Sequence, residues 1–255
     1  MKQTMTLAGI LLTITLSLAS CNFNGNSNNS KKANINNAGR NTDRNIPTIY
    51  CNELIKLAEE GNAEAQFNLA RCYGEGKDVD KNYEEAFRWC MKSAEQGFAD
   101  AQDAVGWMCF RGEGTPVNYD KGFKWSMKAA KQGHINAQYN VGRCYEKGHG
   151  TTQNYSEAIK WYRKSAEAGN ASAQYTMARC YEKGIGVHPD GNKMLLWVTK
   201  AANQGLPEAL YDLARIYFYG GAGEKREEAI NILKRLSIEG YPDATEFLIK
   251  RGIYY

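Results

Sequence analysis

One phase constrains this chain more than any other property. The pair Ala-Gln stands at Ala65-Gln66, Ala101-Gln102, Ala137-Gln138 and Ala173-Gln174, continues as Ala209-Leu210 in steps of 36 residues, and ends at Ala244-Thr245 after a step of 35. Four residues before it stand Gly61, Gly97, Gly133, Gly169, Gly205 and Gly240, and eleven after it Gly76, Gly112, Gly148, Gly184 and Gly220. Trp89, Trp125, Trp161 and Trp197 keep the same phase, as do Ala94, Ala130, Ala166 and Ala202. Such a period marks a repeat architecture, in which one supersecondary unit cannot bury its apolar face alone and must stack on its neighbours.

Each unit reads as two helices. Ala101, Val105, Met108 and Cys109 fall at i, i+4, i+7 and i+8, the apolar stripe of an amphipathic helix. Tyr119 to Gln132 does the same with Phe123, Met127 and Ala130. A column glycine follows each helix, where a left-handed residue ends it without a Cβ penalty. The loop between the two helices varies, as Lys77-Asp78-Val79-Asp80 against Glu113-Gly114-Thr115-Pro116 shows, and the one-residue loss near Gly221 to Glu224 falls in that loop. The 25 glycines beside only 5 prolines agree with many helix ends and few loose loops. Small alanine columns facing the bulky tryptophans and Tyr73, Tyr145, Tyr181 and Tyr217 give interdigitated packing. The expected fold is all-α: a right-handed α-α superhelical solenoid of about five 36-residue helix-turn-helix repeats with half-repeat caps. It spans 47–255, with repeats at about 61–96, 97–132, 133–168, 169–204 and 205–239 and a partial one at 240–251. A lone second-type helix from about Pro47 to Glu60 precedes them, and a lone first-type helix from about Pro242 to Arg251 closes them.

The segment Ala171 to Val187, with Ala-x-Ala-Gln-Tyr-x-x-Ala-x-x-Tyr-x-x-Gly-x-Gly-Val, and segments such as Tyr155 to Gly169 resemble the Sel-one-like repeat (SLR), a relative of the tetratricopeptide repeat with a slightly longer unit. The resemblance covers roughly residues 50 to 251. It implies a helical solenoid acting as a scaffold for a protein or peptide partner. Departures are local: Gly106 and Gly142 replace alanine, Trp107 breaks an arginine column, and Ile232 stands where a tryptophan is expected.

Residues 1–20 read as a secretion leader, with Lys2, an uncharged stretch from Gln3 to Ser20 and small residues before Cys21. The stretch is too short and too rich in threonine and serine for a spanning helix of ~20 apolar residues. Leu18-Ala19-Ser20-Cys21 resembles the lipobox of bacterial lipoproteins, which implies cleavage before Cys21 and lipidation of its sulfur; an ordinary cleaved signal is the other reading. Residues 21–46, dominated by asparagine, have little to bury and read as a flexible tether. The expected location is the bacterial cell envelope, lipid-anchored to the membrane and periplasm-facing at the outer membrane.

Several functions are excluded by what the chain carries. Thirty-two Lys and Arg interleave with 28 Asp and Glu, which is no footprint for nucleic acid. His134, His149 and His188 are isolated and read as solvated loop residues, so no metal site is expected. No phosphate loop, Cys-x-x-Cys or Gly-x-Ser-x-Gly motif is present, and the Gly-x-Gly at Gly112, Gly148 and Gly184 repeats with the unit as part of a turn. Neither a cofactor nor catalysis is expected. A rival reading, an envelope hydrolase or penicillin-interacting cysteine-rich SLR protein, is disfavoured because no serine has lysine three positions later. Cys72, Cys144 and Cys180 share an apolar column with Met108 and Ile216 and read as reduced core thiols; a Cys72 to Cys90 bridge is the alternative.

In solenoids of helix pairs the first helices line the concave surface. Asn68 and Asn140 share a column there with Ala104, Thr176 and Asp212, and Arg71, Arg143, Arg179 and Arg215 follow three residues on, with Trp107 substituting once. Asn and Arg at i and i+3 share one face and together can hold a peptide carboxylate or amide, an arrangement resembling the carboxylate clamp of some tetratricopeptide proteins. Trp107 is the expected anchor. The alternative is that these arginines cover the groove and pair with Glu146 or Glu182 between repeats.

Overall fold

The structure, a computed structural model, describes residues 53–221 and 223–253. All regular structure among them is helical: α1 over 53–59, then α2 (Ala63–Glu75), α3 (Tyr83–Glu95), α4 (Ala99–Arg111), α5 (Tyr119–Lys131), α6 (Ile135–Lys147), α7 (Tyr155–Glu167), α8 (Ala171–Lys183), α9 (Gly191–Asn203), α10 (Pro207–Gly220), α11 (Glu224–Ile238) and α12 (Pro242–Lys250). From α2 to α12 each helix packs on its neighbours in sequence, so five hairpins stack in order as a superhelical solenoid that α12 closes, and Gln66 of α2 donates back to the Ala58 carbonyl of α1. Cys21, the leader and the tether lie outside the described residues.

Local chemistry starts and stops each element. Asn82, Asn118, Asn154 and Asp190 cap α3, α5, α7 and α9 by accepting backbone N–H groups two or three residues on, each cap contributing about 1 kcal/mol. The first helices α2, α4, α6 and α8 end at Gly76, Gly112, Gly148 and Gly184 with φ of 70 to 73°. The fifth copy departs from the expected punctuation: Gly220 is the last residue of α10, and the chain leaves through Gly221 in an extended conformation. The shortened loop there does not need the left-handed turn.

The second glycine of each Gly-x-Gly has a separate cause. At Gly114 an added Cβ would sit 1.9 Å from the carbonyl oxygen of Tyr83, and at Gly150 2.2 Å from that of Tyr119. The loop of one repeat therefore touches the backbone where the previous repeat's second helix begins. The departures Gly106 and Gly142 are explained in the same way. A Cβ on Gly106 would meet Ser126 Oγ at 2.3 Å, and one on Gly142 would meet the buried ring of Tyr162 at 2.5 Å.

The alanine columns at 65, 101, 137, 173 and 209 and at 94, 130, 166 and 202 are 0–5% exposed, which lets neighbouring helices approach closely. In the fifth copy Ile232 is half-buried, as Trp125 and Trp161 are in theirs, and Leu233 and Leu236 are buried in the core beside it. The glutamines beside the alanines form a ladder through the stack. Gln66, Gln102 and Gln174 donate from Nε2 to the carbonyls of Ala58, Ala94 and Ala166 at 3.0, 3.1 and 3.0 Å. Their Oε1 atoms accept from Gln96, Gln132 and Gln204 at 2.7, 2.8 and 2.8 Å. One rung is missing. Ala168 occupies the partner column of Gln138, whose Oε1 is buried and accepts no hydrogen bond.

Cys90, Cys109, Cys144 and Cys180 are free, buried thiols, so the alternative Cys72 to Cys90 bridge does not form. Burial pushes the thiols of Cys90 and Cys144 up to about 12 and that of Cys180 up to about 11.

Candidate functional site

The first helices carry the polar columns. Arg143, Arg179 and Arg215 each follow a tyrosine by four residues and lie over Tyr139, Tyr175 and Tyr211 at 6.0, 5.9 and 5.6 Å from the ring centroids. The i, i+4 spacing places each pair on one helical face, and the cation–π contact, worth ~0.5–1 kcal/mol at exposed sites, helps to orient the guanidinium.

Two of these arginines line one cleft. Between α8 and α10, with Met194 of α9 contributing to its wall, lies a cleft of about 280 Å³ that Tyr175, Arg179, Asp212, Arg215 and Tyr219 also line. The Tyr175 hydroxyl donates to Asp212 Oδ2 at 2.7 Å, joining adjacent repeats. Burial first, and the bond to Asp212 second, push the Tyr175 phenol up to about 12, so it stays neutral and keeps its proton to donate. Arg179 Nη1 donates to the Tyr175 hydroxyl at 3.4 Å, and its Nε stands 3.5 Å from Glu182. Arg215 Nη1 stands 3.7 Å from Asp212 Oδ1, an ion pair too long for a hydrogen bond. Both arginines pair within their own helix and only loosely, which leaves planar donor groups able to take a carboxylate in two parallel bonds.

The remaining residues of the polar columns are dispersed. Asn140 donates from Nδ2 to Asp103 Oδ1 at 3.0 Å and is thereby tied to the previous repeat. Burial raises the Asp103 carboxyl above its ordinary value, against the lowering influence of His134 and Asn140. His134 is not a solvated loop residue: its Nδ1 caps α6 by accepting from Ala137 N–H at 3.1 Å, and its Nε2 lies 3.0 Å from Asp100 Oδ1. His149 stacks on Tyr119 with ring centroids 4.4 Å apart, while His188 is exposed. Asn68 is half-buried on α2, where Arg71 pairs with Glu75 at 3.5 Å. Trp107 is half-buried on α4 with the Arg111 guanidinium 5.4 Å from its ring. Glu146 does not receive an arginine but accepts from the Tyr162 hydroxyl at 2.6 Å. Sequence reasoning missed Tyr175, Met194 and Tyr219; the Tyr139, Tyr175, Tyr211 column, in phase with the repeat, was the available signal. Among the described residues no group of three or more His, Cys, Asp or Glu could hold a metal ion, and no helix is long and apolar enough to cross a membrane.

Stacked helical hairpins in one sequence phase, with polar columns on one set of helices, define a helical-repeat solenoid protein. Within that class the chain belongs to the Sel1 repeat family, for the Sel1 repeat matches residues 63–98, 99–134, 135–170, 171–206 and 207–241. A Sel1 repeat protein from Oxalobacter formigenes is similar in structure with a TM-score of 0.70 at 27% identity, over 79% of this chain and 88% of that one. A protective antigen of uropathogenic Escherichia coli strains with an SLR fold gives 0.69 at 32% identity over 76% of this chain; the match spans 42% of that protein's length. A Sel1 repeat protein from Klebsiella pneumoniae, at 20% identity and a TM-score of 0.51 over 78% of this chain and 98% of that one, shares the fold. No curated protein sequence matches the chain.

Proposed function

We propose that this chain is a non-enzymatic scaffold, lipid-anchored through Cys21 in the bacterial cell envelope and periplasm-facing at the outer membrane, that captures a protein or peptide segment on the concave face of its first helices. The observation that carries this reading is the α8–α10 cleft, where Arg179 and Arg215 stand over aromatic rings beside an apolar wall. Arginine and tyrosine are residue types that dominate interface energetics, and a bidentate guanidinium supplies direction as well as charge. The sequence Leu18-Ala19-Ser20-Cys21 supports the anchor.

The test is affinity capture from cross-linked membranes with the parent chain and with Arg179→Glu/Arg215→Glu. Capture of a specific partner should be lost in the variant while its helical circular dichroism and unfolding midpoint stay within error of the parent. Undiminished capture refutes the site. A chromogenic β-lactam addresses the enzymatic alternative: turnover abolished by one serine substitution would overturn the scaffold reading.

A further inference from the structure

The second helices carry a ladder of their own. Lys92, Lys128, Lys164 and Lys200 follow the column tryptophans by three residues and lie over their rings at 4.2, 3.7, 4.5 and 4.5 Å. Two helices lose the acidic residues of this ladder: in the columns of Glu85 and Glu95, α9 has Lys193 and Asn203, and α5 has lysine at both. Where α3 has Glu85 and Glu95 and α7 has Glu157 and Glu167, α5 has Lys121 and Lys131. Helix α5 thus carries four lysines against Asp120, whereas α3 carries two basic residues against three glutamates. Packing does not demand this reversal, because the tryptophan and alanine columns are the same in all three helices.

Lys124, Lys128 and Lys131 are exposed, and the Lys121 ammonium stands 5.1 Å from the Phe87 ring centroid. Asp120 is taken up by Lys124 at 2.6 Å. Between the lysines Phe123, Trp125 and Met127 are half-buried and line a shallow, mainly apolar depression of about 400 Å³.

We infer that this face of α5 rests on the anionic headgroups of a phospholipid bilayer. The choice of lysine points to a bilayer: an ammonium is a hydrated point charge without arginine's fork, and lysine is depleted where proteins bury surface against each other. Apolar and aromatic side chains flanked by long cationic ones suit a headgroup boundary, where stems and rings bury and charges stay wet. The inference rests on the lipid-anchored reading, since the anchor would keep the solenoid within reach of a bilayer.

The test uses the full chain carrying Cys21→Ala, so that no acyl chain contributes, in co-sedimentation with phosphatidylcholine vesicles made with and without phosphatidylglycerol. The chain should prefer the phosphatidylglycerol vesicles and release from them as salt rises. Each lysine near an anionic leaflet contributes roughly fivefold to partitioning, so Lys128→Gln/Lys131→Gln should weaken it roughly 25-fold at unchanged helical circular dichroism. A variant that partitions as strongly as its parent, or a parent without preference for the anionic vesicles, overturns the inference, as does binding of polyglutamate or nucleic acid in place of vesicles. Failure of the anchored reading has a separate readout: Cys21 of the membrane-isolated wild-type chain would lack acyl mass.

Discussion

Filling the missing rung of the glutamine ladder should stabilise the solenoid. In two other repeats the rung residue makes two hydrogen bonds: Gln132 donates to Gln102 Oε1 at 2.8 Å and to the Gly97 carbonyl at 3.0 Å, and Gln204 donates to Gln174 Oε1 and the Gly169 carbonyl at 2.8 and 2.9 Å. Ala168→Gln places the same group opposite Gln138 Oε1 and the Gly133 carbonyl. Two hydrogen bonds at ~0.5–1.5 kcal/mol each, and relief of a buried acceptor that costs ~1–3 kcal/mol while unmet, oppose up to ~1.5–2 kcal/mol of side-chain ordering. The net gain expected is about 1 kcal/mol, or about 2–4 °C for a domain of this size. Urea and thermal unfolding followed by circular dichroism measure it. In a Gln138→Ala background the bond to Gln138 and the relief of its acceptor are gone and only the bond to the Gly133 carbonyl is left, so the gain should fall by about 1 kcal/mol or more, which isolates the pair from any change in helix propensity. The converse change, Gln132→Ala, should cost about 1–3 kcal/mol by leaving Gln102 Oε1 unmet. An Ala168→Gln midpoint no higher than the parent's, or a gain undiminished by Gln138→Ala, would refute the reasoning.

Further outcomes follow from close approaches and buried groups. Gly142→Ala drives a Cβ into the Tyr162 ring and should cost about 1–3 kcal/mol in urea unfolding, whereas Ala178→Gly, in the same column against the smaller Val198, should cost no more than about 1 kcal/mol. Asp103 has its folded pKa raised by burial, so its contribution is most favourable below the unfolded aspartate value and declines as pH rises through the folded one. Asp103→Asn should flatten that acid-side limb of the urea midpoint against pH; an identical profile would show that Asp103 does not set it. With thiols pushed up to about 12, Cys90 and Cys144 should resist iodoacetamide at neutral pH and react only as urea unfolds the chain, read by mass spectrometry of the labelled peptides.

The stack was legible in the sequence because its determinants are spaced by one covalent period: the glycines that end helices and the alanines that admit neighbours announce themselves by phase. What escaped depends on contacts between columns rather than within them. Gln132 and Gln102 are 30 residues apart, a separation that means nothing until the hairpin closes and brings the end of α5 beside the start of α4. Asn140 looks like a ligand-binding side chain in its column, yet Asp103, which replaces an aromatic position on α4, draws it across the repeat boundary. His134 is isolated in sequence but stands at the first turn of α6 with Asp100 opposite, so capping rather than solvation fixes its role. In the arginine column Arg179 and Arg215 share a cleft, where Tyr175 and Asp212 bind their two helices together.

The glycines at 114 and 150 bring bare main chain against bare main chain at successive repeat boundaries. At these two boundaries the closest approach is therefore set by the thickness of a polypeptide backbone rather than by a side chain. A rack held by such contacts leaves its tooth faces free to be recoloured: Lys121 and Lys131 stand where α3 and α7 have glutamates, and Trp107 where the other four copies have an arginine. Surface chemistry can then diversify one hairpin at a time over backbone contacts that do not depend on it.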